Sequence, residues 1–304
     1  MSKTFLYLLL ISGILLGCQP EQKPTDGRLN IVTTTGMLHD AVSNIVGDQI
    51  AVSSIMGPGV DPHLYKATQG DLSKLNQADL IIYNGLYLEG KMGEILVKLG
   101  RRKPVLAAGE KLADSELIST TEFGSSYDPH VWFDVSLWSK VIGIISEEIQ
   151  RFDPENATLY QQNTKAYLTT LKALHDEVIK QINSIPKDQR VLITAHDAFG
   201  YFGRAYDIEV RGLQGLSTAT DFGLRDIAEI TDLIIERDIK AIFVETSVSD
   251  KAIKAVLSGA VEKGQEVVIG GYLFSDAMGE FGTEEGTYLG MVKKNVSVIV
   301  AGLK

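Results

Sequence analysis

The chain has 304 residues, enough for about two domains, and an apolar fraction of 44%, which is sufficient for buried cores. Its formal net charge of −10 argues against nucleic acid as a partner, because phosphate binding requires a basic surface. An acidic surface attracts cations weakly and without selectivity, so a specific cation site must be built from particular residues.

Residues 1–17 have the pattern of a signal peptide. Lys3 precedes the apolar run Phe5–Leu16, which is shorter than the roughly 20 residues of a bilayer span but typical of a secretory signal. The run ends in Leu-Leu-Gly-Cys, which resembles the lipobox in which the cysteine is lipidated and becomes the N-terminus. We therefore expect a lipid on Cys18, the only cysteine, and a flexible tether over residues 18–28; a buried structural cysteine is the alternative.

The mature chain alternates short apolar runs with amphipathic helical stretches, which predicts βα units and parallel sheets. We expect an α/β protein with two lobes, each a roughly four-stranded parallel sheet flanked by helices. The predicted strands of the first lobe are Leu29–Thr33, Ile50–Ile55, Leu80–Tyr83 and Val105–Ala107. Those of the second lobe are Val191–Thr194, Glu209–Gly212, Ala241–Val244 and Glu266–Ile269.

A single long helix is predicted between the lobes. Asp153 and Pro154 have the pattern of a helix start, and apolar residues then recur at helical spacing as far as Ile185. No Gly or Pro interrupts this pattern before Pro186, so we expect a stiff connector over residues 153–186. The lobes would then occupy residues 29–152 and 187–304.

Three of the five histidines lie where ligands of α/β proteins gather, beyond the carboxyl ends of predicted strands. His63 and His130 each end an Asp-Pro-His tripeptide after a turn-rich segment, and His196 follows the strand Val191–Thr194. Asp276 lies beyond the last predicted strand. Hydrogen-bonding loop histidines, and a helix-capping role for Asp276, are the alternative interpretations of these positions.

As a set, three imidazoles and one carboxylate suit a divalent transition metal. They can complete a tetrahedral site, or a five-coordinate one if the carboxylate binds through both oxygens. Four protein ligands leave no open position for an activated water, which favours binding over hydrolysis.

Several stretches, in this order, resemble the zinc/manganese solute-binding lipoproteins of bacterial ABC importers, known as cluster A-I. The resemblance covers nearly the whole mature chain and is carried by TTTGMLHDAVSNIVGD (33–48), GPGVDPHLYKATQGDLSKLNQADLIIYNGLYLEGKM (57–92), DPHVWFDVSLW (128–138), TAHDAFGYFGRAYDIE (194–209), IFVETSVS (242–249), GGYLFSDAMG (270–279) and GTYLGMVKKNVSVIVAGL (286–303).

This resemblance implies that His63, His130, His196 and Asp276 are the four metal ligands, in a site between two α/β lobes joined by one helix. It implies a monomeric protein without enzymatic activity, anchored outside the cytoplasm through Cys18, that delivers zinc or manganese, with iron(II) also accepted, to importer permease subunits. Some relatives are also described as adhesins.

Glu245 ends a predicted strand near the cleft, and we interpret it as an acceptor for a ligand histidine or as a loop carboxylate. His39 is expected at the surface or cleft edge, and His175 in solvent. Two rival functions stay open: a metal-dependent hydrolase with Glu245 as base, and a siderophore- or corrinoid-binding protein. The latter class uses aromatic and arginine clusters rather than repeated Asp-Pro-His tripeptides.

We predict that zinc binds more tightly than manganese, because three nitrogen ligands follow the general order of affinity in which zinc exceeds manganese. Residues 110–128 lack the histidine-rich loop of zinc-specialised relatives, and His196 replaces the glutamate of manganese-specialised ones, so both metals should bind. Calorimetric competition at fixed pH measures the order, and manganese binding tighter than zinc would contradict it.

Overall fold

The computed structural model describes residues 27–121, 126–219 and 222–304. The predicted signal peptide, Cys18 and most of the tether lie outside these residues. The first half contains β1 (Asn30–Thr33), α1 (Gly36–Val46), β2 (Ala51–Ser54), α2 (Gln69–Gln77), β3 (Leu80–Tyr83), α3 (Gly93–Leu99), β4 (Val105–Ala107), β5 (Ser119–Thr120), β6 (Ser126–Tyr127) and α4 (Val135–Phe152). Among the described helices, none is both long enough and apolar enough to cross a bilayer.

The chain continues through α5 (Ala157–Ile182), β7 (Val191–His196), α6 (Gly200–Tyr206), β8 (Glu209–Gln214), α7 (Leu224–Glu236), β9 (Ala241–Glu245), α8 (Lys251–Glu262), β10 (Val268–Leu273) and α9 (Tyr288–Leu303). This alternation of parallel strands and helices confirms the predicted α/β class. The boundaries of the two lobes stay a prediction.

The first sheet is parallel, with strand order β2-β1-β3-β4. Its central strands β1 and β3 are fully buried, as expected for apolar, β-branched runs covered by helices on both faces. All four strands were predicted, and two of them have the predicted bounds. Their carboxyl ends share one edge, where the chain enters the loop carrying His63.

The second half contains two parallel pairs, β7 with β8 and β9 with β10, and β7 lies beside β9. Strand β7 continues two residues beyond the predicted end, so His196 is its last residue. Strand β10 begins at Val268 rather than Glu266 and runs on to Leu273 across a register shift between Ile269 and Gly271. Gly270 and Gly271 interrupt the run of apolar residues at this irregularity, so the apolar pattern did not predict that the strand continues beyond Ile269.

The long connecting helix is α5, and it packs against α1 and α4 of the first half and α6 and α9 of the second. Its buried face contains every apolar position that the sequence predicted within it. It has 26 residues, fewer than predicted, because Pro154–Asn156 form a turn of 3-10 helix and the α-helix ends at Ile182. Asp153 does not cap the helix, since its Oδ2 accepts hydrogen bonds from Tyr160 (2.5 Å) and Asn156 (2.9 Å).

The largest hydrophobic cluster of the described residues draws on both halves of the chain. Ile31 and Trp138 of the first half share it with Leu171 of α5 and with Phe243 and Tyr288 of the second half. Continuous packing of this kind resists relative movement of the two sheets, since close-packed interiors transmit strain. The strands of the first half are therefore held in a defined position relative to those of the second half.

We predict that Leu171→Ala destabilises the protein by about 2–5 kcal/mol, because this fully buried side chain of α5 would leave a cavity where both halves meet. The neighbouring exposed Lys172 is the control, and Lys172→Ala should change the free energy of unfolding by less than about 0.5 kcal/mol. Urea unfolding of the metal-free proteins measures both values. Equal effects for the two variants would contradict the packing described for α5.

Candidate metal centre

Four side chains from separate loops and strand ends converge on one point. His63 lies in the loop after β2, His130 follows β6, His196 ends β7, and Asp276 follows β10. One potential ligand atom from each lies within 4.8 Å of the other three. These are the four residues that the sequence pointed to, and the structure brings all of them together.

The distances between these atoms fit a small cation. Nε2 of His63 is 3.3 Å from Nε2 of His130, and Asp276 Oδ2 is 3.4 Å from His63 Nε2 and 3.2 Å from His196 Nε2. Asp276 Oδ1 is 3.4 Å from His130 Nε2. A tetrahedral zinc centre with metal–nitrogen distances of about 2.0–2.1 Å has ligand-to-ligand edges of about 3.3–3.4 Å. Since both oxygens of Asp276 face imidazoles, a five-coordinate arrangement is also available.

The cluster is buried, with relative exposures of 3% for His63, 0% for His130 and His196, and 1% for Asp276. Neither carboxylate oxygen of Asp276, nor Nε2 of His196, has a hydrogen bond of good geometry within the described structure. Buried polar atoms are costly without a partner, and a cation between them would supply one.

Asp128 orients His130 through two contacts of the same oxygen. Asp128 Oδ1 lies 2.7 Å from the ring Nδ1 of His130 and accepts a 2.9 Å hydrogen bond from its backbone N–H. The ring is thereby turned so that Nε2 faces the centre. A carboxylate on the far ring nitrogen also fixes the tautomer and increases the basicity of a metal-binding imidazole.

Glu245 lies against both the ring and the backbone of His196. Its Oε2 lies 2.5 Å from Nδ1 of His196, and its Oε1 accepts a 3.0 Å hydrogen bond from the backbone N–H. Glu245 is the last residue of β9 and is buried beside the end of β7. Glu245 therefore accepts a hydrogen bond from the backbone N–H of His196, whereas the close contact between Oε2 and the ring Nδ1 lacks hydrogen-bond geometry. A role for Glu245 in supporting a ligand histidine stays a prediction.

Asp61 contacts the backbone of His63 rather than its ring. Its Oδ1 accepts a 2.8 Å hydrogen bond from the backbone N–H of His63, and its Oδ2 accepts a 2.5 Å hydrogen bond from the hydroxyl of Thr218. In both Asp-Pro-His tripeptides the aspartate accepts a hydrogen bond from the backbone N–H of the histidine, but only Asp128 also contacts the histidine ring.

Trp132 and Tyr201 tie the His130 loop to the second half of the chain. The indole N–H of Trp132 donates to the carbonyl of Ser275, next to Asp276, at 3.1 Å, and its ring packs edge-on to that of His130. The Tyr201 hydroxyl donates to the carbonyl of Asp128 at 2.8 Å. Sequence reasoning did not find these contacts of Trp132, Ser275 and Tyr201, because nothing local in the sequence marks contacts between distant parts of the chain.

The charges of the cluster divide it into two kinds of imidazole. Burial, with the positive charges of His130 and His196, outweighs the attraction of Asp276 and lowers the pKa of His63 to about 3. Burial also disfavours protonation of His130, but Asp128 and Asp276 outweigh it and raise its pKa to about 9. Glu245 and Asp276 similarly outweigh burial and raise the pKa of His196 well above its usual range. Asp276 is buried, yet the two cationic imidazoles hold its pKa well below the ordinary value.

The other two histidines are outside the cluster. His39 in α1 is half-buried, with its ring edge-on to that of Phe281 at 5.3 Å between centroids. His175 was expected in solvent, but it is half-buried and its Nδ1 lies 3.2 Å from the Tyr206 hydroxyl. Helix α5 packs on α6, and this contact explains the difference.

Comparison with known proteins gives matches over nearly the whole chain. The family model for the periplasmic zinc-uptake complex component A, ZnuA, matches residues 31–302. The manganese-binding lipoprotein MntA of Bacillus subtilis is 48% identical over 299 residues, covering 98% of this chain and 97% of that protein. The zinc-binding protein TroA of Treponema pallidum is 45% identical over 298 residues, 98% of this chain and 96% of its own. The TroA structure superposes with a TM-score of 0.89 at 47% identity, over 91% of this chain and 99% of that one.

We predict that zinc affinity continues to rise with pH up to about pH 9. With ordinary histidines, whose pKa is about 6.5, the affinity would stop rising near that pH. A bound ion must displace the protons that the raised pKa values of His130 and His196 retain at neutral pH. Each displaced proton weakens apparent affinity by about tenfold per unit of falling pH. Chelator competition between pH 6 and 9 measures the slope, and an affinity that is flat above pH 7 would contradict these protonation states.

Proposed function

Because the chain belongs to the family of the periplasmic zinc-uptake complex component A, we propose that it captures zinc or manganese outside the cytoplasm and delivers it to an ABC importer. Proteins of this family are the substrate-binding components of such importers, so the chain is a binding protein and not an enzyme. The metal is its cargo, held by His63, His130, His196 and Asp276.

The observation that carries this proposal is the buried convergence of three imidazoles and one carboxylate at distances that suit one divalent ion. The four side chains fill a tetrahedral sphere without an open position, whereas a catalytic zinc keeps one for water. Glu245, the base considered for a hydrolase, lies against His196, with Oε1 accepting from the backbone N–H and Oε2 2.5 Å from the ring Nδ1. A siderophore or corrinoid would require a large accessible cavity, and these four residues are at most 3% exposed.

The donor set favours zinc in affinity and does not exclude manganese. Three nitrogen ligands bind zinc more tightly, while the carboxylate, with both oxygens directed inward, provides the oxygen donors that suit manganese. The relatives agree with this mixed character, since MntA is named for manganese and TroA for zinc. Iron(II) falls between the two metals in the same order of affinities.

We further propose that the mature protein begins at a lipidated Cys18 and acts as a monomer tethered to the membrane. The basis is the sequence Leu-Leu-Gly-Cys after a signal-like apolar run, together with the lipoprotein names of relatives such as MntA. A tether of roughly ten residues would let the folded part reach a permease in the same membrane.

We predict that zinc raises the melting temperature of the wild-type protein and that His63→Ala loses most of this increase. A ligand that binds only the folded state stabilises it by about 4 kcal/mol at a thousand times its dissociation constant. His175→Ala is the control, since His175 lies outside the cluster and should leave the zinc-induced shift unchanged. Thermal unfolding with and without zinc measures the shift, and its full retention in His63→Ala would remove His63 from the proposed ligands.

A further inference from the structure

The loop between β3 and α3, residues 84–92, packs against the backbone of the segments that carry His63 and His130. It contains two consecutive residues in left-handed backbone conformation that are not glycine, Leu86 (φ 55°) and Tyr87 (φ 68°). Such residues are uncommon, and they persist only where surrounding contacts hold them. This conformation could not be predicted from residue type, because neither side chain favours it.

Glu89 supplies the contacts that hold this loop. Its side chain is buried, at 2% exposure, and accepts three hydrogen bonds. The Thr34 hydroxyl and the Asn84 backbone N–H donate to Oε1 at 2.7 Å each, and the Gly85 N–H donates to Oε2 at 3.1 Å. The carboxyl group therefore links Glu89 to the first residues of the same loop, Asn84 and Gly85, and to Thr34 directly after β1. It is a buried carboxyl group whose pKa is raised to about 7 by burial, and the metal centre itself does not use it.

The closed loop touches both Asp-Pro-His segments. The side-chain amide of Asn84 donates to the carbonyl of Pro129, the residue before His130, at 3.0 Å. On the opposite side, Gly90 packs so closely on His63 that a Cβ at this position would lie 2.5 Å from the His63 carbonyl oxygen. One loop, held by one carboxylate, therefore sets the backbone positions of two proposed ligands relative to each other.

We propose that Glu89 is a positioning residue that fixes the spacing of His63 and His130 and thereby sets the preference of the site for zinc over manganese. This inference rests on the proposed function. The two Nε2 atoms are 3.3 Å apart, close to the edge of a tetrahedral zinc centre. A longer distance between these two Nε2 atoms would make room for a larger coordination sphere with more oxygen ligands, which suits manganese.

The test uses two variants of the full chain, each with a matched control. Glu89→Gln replaces the acceptor oxygen Oε2 by an amide group that faces the backbone N–H of Gly85, and its control Glu94→Gln alters a solvent-exposed carboxylate on α3. Gly90→Ala leaves the Glu89 side chain unchanged, but its Cβ pushes on the His63 backbone and its own positive φ of 37° is strained. Its control is Gly93→Ala, where a Cβ meets nothing within 4 Å. The readouts are the zinc-to-manganese affinity ratio, the visible absorption of the cobalt(II) form, and the melting temperature without metal.

We expect both variants to lose about 10- to 100-fold in zinc affinity, the usual effect of removing support behind a metal ligand, with a smaller loss for manganese. The intense cobalt(II) absorption of a tetrahedral site should weaken in parallel, and both controls should match the wild type. A lower melting temperature with an unchanged affinity ratio and an unchanged cobalt(II) spectrum would overturn the proposal, because Glu89 would then serve stability alone.

Thr34→Val keeps the test decisive if the other variants do not fold, since it removes one donor to Glu89 and leaves every backbone contact in place. A smaller shift in the same direction supports the proposal, and an unchanged ratio and spectrum overturn it. A wild-type protein that binds neither zinc nor cobalt would instead refute the proposed function. The two failures are therefore distinguishable.

Discussion

The structure depends on holding three imidazoles and a carboxylate together in a buried space, with one potential ligand atom from each within 4.8 Å of the others. Such a cluster is unfavourable unless positive charge balances its carboxylates. The raised pKa values of His130 and His196 provide two protons for this purpose without metal. Two protons carry the charge of one divalent cation, so exchanging them for the cargo leaves the net charge of the buried site unchanged.

The surrounding residues make this cluster rigid from both sides. Asp128 and Glu245 each contact the ring and the backbone of one histidine, so the imidazole and its loop are fixed by the same carboxylate. Trp132 then links the His130 loop to Ser275 beside Asp276. A site assembled in this way favours one small ion of defined geometry, which is what selective capture requires. It also accounts for the single helical connector α5, because large movements between the sheets would disrupt these contacts.

Much of this arrangement could be predicted from the sequence, and the failures have local causes. Apolar runs located the eight parallel strands but not the short pair β5 and β6. The Asp-Pro-His repeat and the strand-end positions suggested the candidate cluster, and the family resemblance implied its four ligands. The extent of β10 was wrong because Gly270 and Gly271 interrupt its apolar pattern at an irregular register. The connector was overestimated because proline favours a first helical turn but does not ensure that it is α-helical.

Contacts between distant parts of the chain were beyond the reach of sequence patterns. Glu245 could be suspected from its place at a strand end, but its pairing with His196 depends on β7 lying beside β9. Glu89 had no such sign, because its partners Thr34 and Asn84 are brought to it only by the folded sheet. Residues that hold a ligand in place through distant contacts therefore need the three-dimensional structure. The ligands themselves were suggested by residue type and strand-end position and implied by the family resemblance.

The most direct test of the central claim is the position of the bound ion. Anomalous scattering from a zinc-loaded crystal, measured above and below the zinc absorption edge, locates that ion without reference to any assumed ligand. We expect one strong peak at about 2.0–2.2 Å from Nε2 of His63, His130 and His196 and from an oxygen of Asp276. A peak at another place, or one that any of these four side chains fails to reach, would contradict the account.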